Sequence, residues 1–542
     1  MKDKYYEAPK IVFSSEPSYW SESEPDYKIR QNLLRGVSYD IIPEVPIDGK
    51  FKCAHFNTLA SEGKLTDGVT ARTYTYQDPA WNRFTRGAAR DVIFDLGHLS
   101  AVDSWSVSML HELSTLVLLP DKMTVYGSVD GNGWQKLCDT SPDSPKFDND
   151  KVVMTGYFGG RYIVRYIKVH FKIDLHIYCE QFEVYGTKDI SDAMEIVPEV
   201  EIKPAAIGYP KPESFHNVHN MALMYHCGWS DDDDWAFIRE DAIRPLVGYY
   251  QNGELKDTFF DSYLFLPFTR FEFPDGSKYK KGWERYLYSQ FKADCNLDAV
   301  NKVTGEIAKK LGIKDYKAKI FFSLLSPRSN ITDFGDIDGT GSLNFTDEED
   351  RRKAIRWMVD EHIRRYKEGG YENTELCGFY WFNEATSGKD RELVKYTGDY
   401  VRSLGYSLFW IPYYLADGFS DWKELGFDLA CMQPNYIFQP DSERERLYFN
   451  AEICREKGMC VELEAHWEYT EDKIKRYLEY LEVGAETGYM NTVKIYYCAS
   501  YFTHAAYSEV PMERLMYDYT YKFAKETLTP QEMAKVIADI SF

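Results

Sequence analysis

The sequence predicts two domains, an all-β sandwich followed by an α/β domain of the eight-stranded parallel barrel class, and three observations predict them. From about residue 30 to 187, short β-type runs are separated by turn residues, with almost no helical periodicity. Beyond about residue 213 the rhythm changes, and apolar runs alternate with amphipathic stretches. The apolar runs number eight, the count a closed (β/α)8 barrel requires. A chain of 542 residues exceeds what one core supports, so the division is expected on size as well.

The sandwich is read from "DVIFDLG" (91–97), "KMTVYGSVDGNGW" (122–134), "RYIVRYIKVHF" (161–171) and "CEQFEVYGT" (179–187). Together with "GKLTDG" (63–68), these segments resemble the discoidin, or coagulation-factor type C, module in the order that family shows. The resemblance implies a discoidin-like sandwich over 1–187, with an N-terminal extension, and a glycan-binding role for loops at one end. It also implies a structural calcium near the "LTDG" turn, with Asp67 as the carried-over ligand. The residues alone read as an Asp-Gly turn. Residues 188–212, rich in Pro and acidic side chains, read as a linker.

The barrel is expected over 213–542, with strands at 221–227, 258–266, 318–325, 375–382, 407–414, 427–433, 459–464 and 491–498. Their near-continuous apolar character fits a parallel sheet covered on both faces. The intervening helices include 347–369, 390–405 and 441–458, each closing on a glycine as helix C-termini commonly do.

In such a barrel, chemistry belongs at the carboxyl ends of the strands. The run "FYWFNEAT" (379–386) carries the fourth strand into Asn383 and Glu384. In "CVELEAHW" (460–467), alternation places Glu462 and Glu464 on one face, toward the barrel axis. Two carboxyl groups converging on one cleft supply the proton donor and the attacking anion that glycosidic cleavage needs. Ionised Glu464 is expected to raise the pKa of Glu384 and keep it protonated, while Asn383 hydrogen-bonds a sugar hydroxyl.

The pattern resembles the clan A glycoside hydrolases, in which an Asn-Glu pair ends strand four and a Glu ends strand seven. That resemblance implies Glu384 as acid/base and Glu464 as nucleophile of a retaining hydrolase, with Glu462 the alternative nucleophile. Tyr413, Asn435, Tyr436, His466, Trp467 and Tyr501 fall at or after strand ends and, with Glu462, are candidates to line a sugar site. "CMQPNYIF" (431–438) and "FYWFNEAT" are also similar to a bacterial family, without assigned activity, in which such a barrel is fused to other modules. A carbohydrate-binding protein that does not cleave its ligand is the alternative expectation, because a barrel does not guarantee catalysis.

Composition narrows the ligand class. A net charge of −22 repels polyphosphates and anionic lipid, so neither nucleic acid nor membrane is expected as a partner. With 43 Tyr and 12 Trp, the chain has aromatic faces to spare for the C–H faces of sugar rings, and a carbohydrate is the expected ligand.

The cysteines form no CxxC pair, and Cys227, Cys377, Cys431 and Cys498 sit in apolar runs, so they read as reduced, buried thiols. "MKDKYYEAPKIVF" carries no apolar signal region and no small-residue cleavage site, so a cytoplasmic location is expected; a chain trimmed of a leader would read the same and be secreted.

No cofactor or catalytic metal is expected. "GDIDGTGSLNFTDEED" (335–350) approaches EF-hand spacing but has Asp347 where the bidentate Glu belongs, and "TDEE" from Thr346 reads as a capping box. The acidic run "SDDDDW" (230–235) reads as favourable partners for a helix dipole. His226 reads as a satisfied core histidine. The sequence lacks a P-loop, a GxGxxG opening a helix, HExxH and GxSxG.

Overall fold

The structure, a computed structural model, describes residues 27–43, 64–85, 89–115, 117–173, 176–199, 206–227, 237–268, 276–386, 388, 390–497 and 499–540. The acidic run at 231–234, Cys498 and residues 200–205 of the expected linker lie outside the described residues. The chain divides into two compact units, one ending at Pro204 and the other beginning at Ala205.

Among the described residues, the N-terminal unit is all-β, a mainly antiparallel nine-stranded sheet. Its frame is two 24-residue strands, Ala89–Glu112 and Asn149–Lys172, paired along most of their length. Register shifts between Asp95 and Ser100 and between Val102 and Ser104 interrupt that pairing, the irregularity that lets a long strand bend. Residues from both halves of these strands, Phe94 and Trp105 among them, join one buried core. Asp67 Oδ1 accepts hydrogen bonds from the Val69 N–H (2.8 Å) and from Gln181 Nε2 (2.9 Å). Within the stretch expected as a linker, Met194–Glu195 pairs with Tyr162–Ile163, because that chain returns to the sheet edge.

The second unit is a closed barrel of eight parallel strands: Asn220–His226, Ser262–Pro267, Ala318–Leu324, Thr374–Trp381, Ser407–Trp410, Leu429–Met432, Cys460–Glu464 and Lys494–Tyr497. The first strand pairs with the eighth, so no edge is left open. Leu264, Phe321, Phe409, Cys431, Cys460 and Ile495 fill the interior. Phe215, just before the first strand, stacks on Phe321 at 5.4 Å and closes the amino-terminal end. No described helix is long and apolar enough to cross a membrane.

Three local expectations are corrected. The run 258–266 contains two elements: Glu254–Thr258 closes an antiparallel hairpin with Gly248–Gln251, and the barrel strand begins only at Ser262. The hairpin turns at Asn252 and Gly253, with φ of 52° and 77°, angles these two residues tolerate. The helix Glu348–Gly369 is capped by Asp347, whose side chain accepts the Glu349 N–H, instead of by Thr346. Its left-handed C-cap is Gly370, one residue beyond the glycine expected.

Candidate active site

A cavity of about 1020 Å³ involves the carboxyl-terminal ends of the barrel strands. Glu384, Glu462 and Glu464 all line it, and the elements that carry them explain why. Glu384 lies three residues past the fourth strand, in the loop that must leave the sheet there. Glu462 and Glu464 occupy alternate positions of the seventh strand, opposite Ile495 and Tyr497 of the eighth. Ile495 belongs to the interior cluster and Tyr497 packs against it, so both glutamates share the axial face.

The three carboxyl groups differ in their surroundings. Glu384 is open to the cavity, yet protein crowds its carboxyl on the other sides, and this burial raises its pKa. A hydrogen bond from Gln433 at the end of the sixth strand opposes the rise. Exposure and crowding coexist because the wall is concave. Glu464 is 1% exposed, and burial pushes it up to about 7. Tyr480, the backbone N–H groups of Asn435 and Tyr436, and the Arg446 charge all favour its ionised form. Asn435 has φ of 54°, a left-handed conformation that Asn tolerates and that turns successive N–H groups the same way.

Glu462 is 1% exposed, and its Oε2 has no hydrogen-bond partner among the described residues. Burial first, then the charges of Glu464 and Glu384, hold its pKa well above the carboxylate range. Glu462 is thus the carboxyl that feels both of the others.

An aromatic arc completes the wall. Tyr225 meets Phe268 at 5.6 Å and Tyr497 at 5.5 Å; Tyr497 meets Phe438 at 5.6 Å; Phe438 meets Trp467 at 5.8 Å. All five rings line the cavity. Trp467 is 53% exposed, leaving a flat apolar surface toward solvent. Among the described residues, no group of three or more His, Cys, Asp or Glu is arranged to hold a metal ion.

A family described as "Domain of unknown function (DUF4855)" matches residues 220–522, more than half of the chain and all eight barrel strands. The chain belongs to the DUF4855 family. No curated protein matches it.

Solved structures give low-scoring likenesses. CpGH89CBM32-6 produced by Clostridium perfringens is 16% identical, with 29% of this chain and 99% of that one covered and a TM-score of 0.19. A Ruminococcus gnavus GH29 fucosidase in complex with fucose is 14% identical, with 29% of this chain and 27% of that one covered and a TM-score of 0.19. The lectin binding domain of Lectinolysin, complexed with Lewis b, is 17% identical, with coverage of 29% and 96% and a TM-score of 0.20. Scores this low leave the function of this DUF4855 chain to its own residues.

Of the residues expected at a site, the DUF4855 barrel gathers Glu384, Glu462, Glu464, Tyr413, Asn435, Trp467 and Tyr501 around the cavity. Asn383, Tyr436 and His466 are not in its wall. The carbonyl of Asn383 accepts the Trp410 indole N–H at 2.8 Å. Tyr436 follows the left-handed Asn435, lies under the Arg476 guanidinium, and donates its hydroxyl to Glu479 at 2.6 Å. His466 is buried, with its ring against Trp467 at 4.1 Å and its Nδ1 accepting the Glu468 N–H.

Sequence reasoning did not single out Tyr225, Gln433, Phe438 and Tyr497. Gln433 carried a usable signal, a polar residue ending an apolar strand. The three aromatics read like core.

Proposed function

We propose that the barrel is a retaining glycoside hydrolase in which Glu384 is the acid/base and Glu464 the nucleophile. The observation that carries this reading is that one cavity is lined by carboxyl groups from the loop after the fourth strand and from the seventh strand. In the first step, Glu384 gives its proton to the glycosidic oxygen while the Glu464 carboxylate attacks the anomeric carbon. The carbon–oxygen bond to the leaving sugar breaks and a glycosyl ester forms. In the second step, Glu384 takes a proton from water, the resulting hydroxide attacks the anomeric carbon, and Glu464 leaves as a carboxylate.

The surroundings favour Glu464 over Glu462 as the nucleophile. Glu464 is met by the donors that a nucleophilic carboxylate needs, whereas the Glu462 carboxyl is held uncharged by burial and by its neighbours. Retention calls for carboxyl groups about 5 to 5.5 Å apart, against about 6.5 to 9.5 Å for inversion. The N-terminal unit then serves as a glycan-binding or packing module.

The test is a panel of 2-deoxy-2-fluoro aryl glycosides followed by intact mass measurement. Addition of one glycosyl unit on Glu464, abolished in Glu464→Gln, is the expected result. Turnover undiminished in Glu464→Gln removes that residue from the mechanism.

The alternative, glycan binding without cleavage, is favoured by the aromatic arc, which would hold a sugar whether or not it is cut. Binding without product across a broad glycoside panel would select it.

A further inference from the structure

We propose that the sugar unit bound between Glu384 and the seventh-strand glutamates carries a protonated amine, so that the ligand is an amino sugar with a free amino group. The proposal deepens the reading of this cavity as a glycan site and does not require that the glycan be cleaved.

The cavity wall is acidic in a way that a neutral sugar does not use. Asp241, Glu384, Glu462 and Glu464 line it, and Arg239 is the one permanently charged cation among its described lining residues. A carboxyl cluster alone is no site, but Glu462 adds a separate observation. It lies on the axial face of the seventh strand, almost wholly buried, and no donor among the described residues reaches its Oε2. Glu464, two residues on, has its own Oε2 met by the Tyr480 hydroxyl. A buried carboxyl oxygen without a partner is costly, and a donor brought by the ligand removes the cost.

A sugar hydroxyl would supply one hydrogen and no charge, leaving Glu462 unable to ionise beside Glu464 and Glu384. An ammonium supplies three hydrogens and a positive charge beside the unpartnered Oε2, so Glu462 can ionise against it. The described carboxyl groups are not gathered as metal ligands, which favours an organic cation over a metal ion. The aromatic arc would take the C–H faces of the same sugar.

The amine and its acetamide differ in charge on one skeleton, and they decide the matter. Titrate the full chain by calorimetry with methyl glycosides of glucosamine and galactosamine, both anomers, beside their N-acetyl and parent neutral forms. Use two buffers of different ionisation enthalpy at pH 6.5. The expected result is binding of at least one amine tighter than its acetamide by about tenfold or more, with proton release as Glu462 ionises. In Glu462→Gln the preference and the proton release should both disappear. If that variant fails to fold, the acetylation comparison on the unaltered chain decides alone. Equal binding of neutral forms, amine binding without proton release, or no binding by any amine overturns the proposal. Cleavage of neutral glycans without amine preference would sink this inference and spare the hydrolase reading; amine-selective binding without turnover would do the opposite.

Discussion

Tyr480, on the helix Glu471–Thr487 outside the seventh barrel strand, donates its hydroxyl hydrogen to Oε2 of Glu464. The same hydroxyl accepts the backbone N–H groups of Tyr436 and Ile437 at 3.1 and 3.4 Å. One phenol therefore links the proposed nucleophile to the loop after the sixth strand and to the outer helix layer.

Tyr480→Phe should show what that link does. The hydroxyl favours the ionised carboxyl, so its loss raises the Glu464 pKa above the present value of about 7. The acid limb of kcat/KM should move to higher pH, and activity at neutral pH should fall by about 10- to 100-fold. Two backbone N–H groups also lose their acceptor, which costs about 1–3 kcal/mol of stability. A pH–rate profile beside a denaturant titration separates the two effects; an unmoved acid limb would refute the assignment.

Glu384→Gln removes the proposed acid. Burial raises the Glu384 pKa, and as the proposed proton donor this residue should account for the falling, alkaline limb of the profile, which should vanish in the variant. For glycosides with a poor leaving group the rate should drop by about 10²- to 10⁴-fold, and for a dinitrophenyl glycoside by far less. A uniform loss across leaving groups would speak against proton donation by Glu384.

Much of this site is legible in the sequence because barrel strands buried on both faces leave unbroken apolar runs, and period-two alternation then fixes which residues share a face. Glu462 and Glu464 follow from that alone. The relationship of Tyr480 to Glu464 does not, since it depends on how a helix docks 16 residues later. The cause of the Glu384 shift is also hidden. Sequence reasoning assigns it to the charge on Glu464, whereas crowding by the cavity wall raises it, and crowding is a property of the assembled fold. Tyr225 and Tyr497 of the arc look like core residues in sequence, because they lie at the ends of apolar strands. The hairpin before the second barrel strand is masked for a similar reason: its closing strand ends at Thr258, directly before Phe259 and Phe260, and merges with the apolar run that follows.

The buried pair His226 and His362 predicts a pH effect on stability. Burial lowers both rings from about 6.5 to about 3, so they stay neutral in the fold. His226 meets the Ser289 hydroxyl at 2.9 Å and His362 meets Gln290 Oε1 at 3.1 Å. The unfolded chain takes up these protons near pH 6.5, and the fold does not until about 3. Their contribution is therefore complete above about 6.5 and is lost as pH falls toward about 3, by up to about 1.4 kcal/mol per pH unit per ring. The raised glutamates of the cavity act in the opposite sense, losing stability as pH rises through their folded values, so the whole-protein slope is a difference. Unfolding of His226→Gln compared with the parent between pH 7 and 5 isolates the histidine: the variant should lose less stability on acidification. Equal slopes would contradict the buried neutral ring.

Gly378, in the fourth strand six residues before Glu384, faces the backbone of the fifth strand so closely that an added Cβ would lie 2.2 Å from the Ser407 carbonyl oxygen. Backbone cannot yield as a side-chain tip would, so Gly378→Ala must push the two strands apart. The pairs from Gly378 with Ser407 to Trp381 with Trp410 would be strained in turn, up to the point where the chain leaves for Glu384. Overpacking of this kind costs about 1–3 kcal/mol, readable as a lower denaturant midpoint. The kinetic consequence should be selective. Tyr225, Tyr497, Phe438 and Trp467 belong to other strands and loops, so substrate affinity should hold while kcat falls as Glu384 shifts from the scissile bond. A rise in KM with kcat intact would instead place the fourth strand in ligand binding and away from the chemistry.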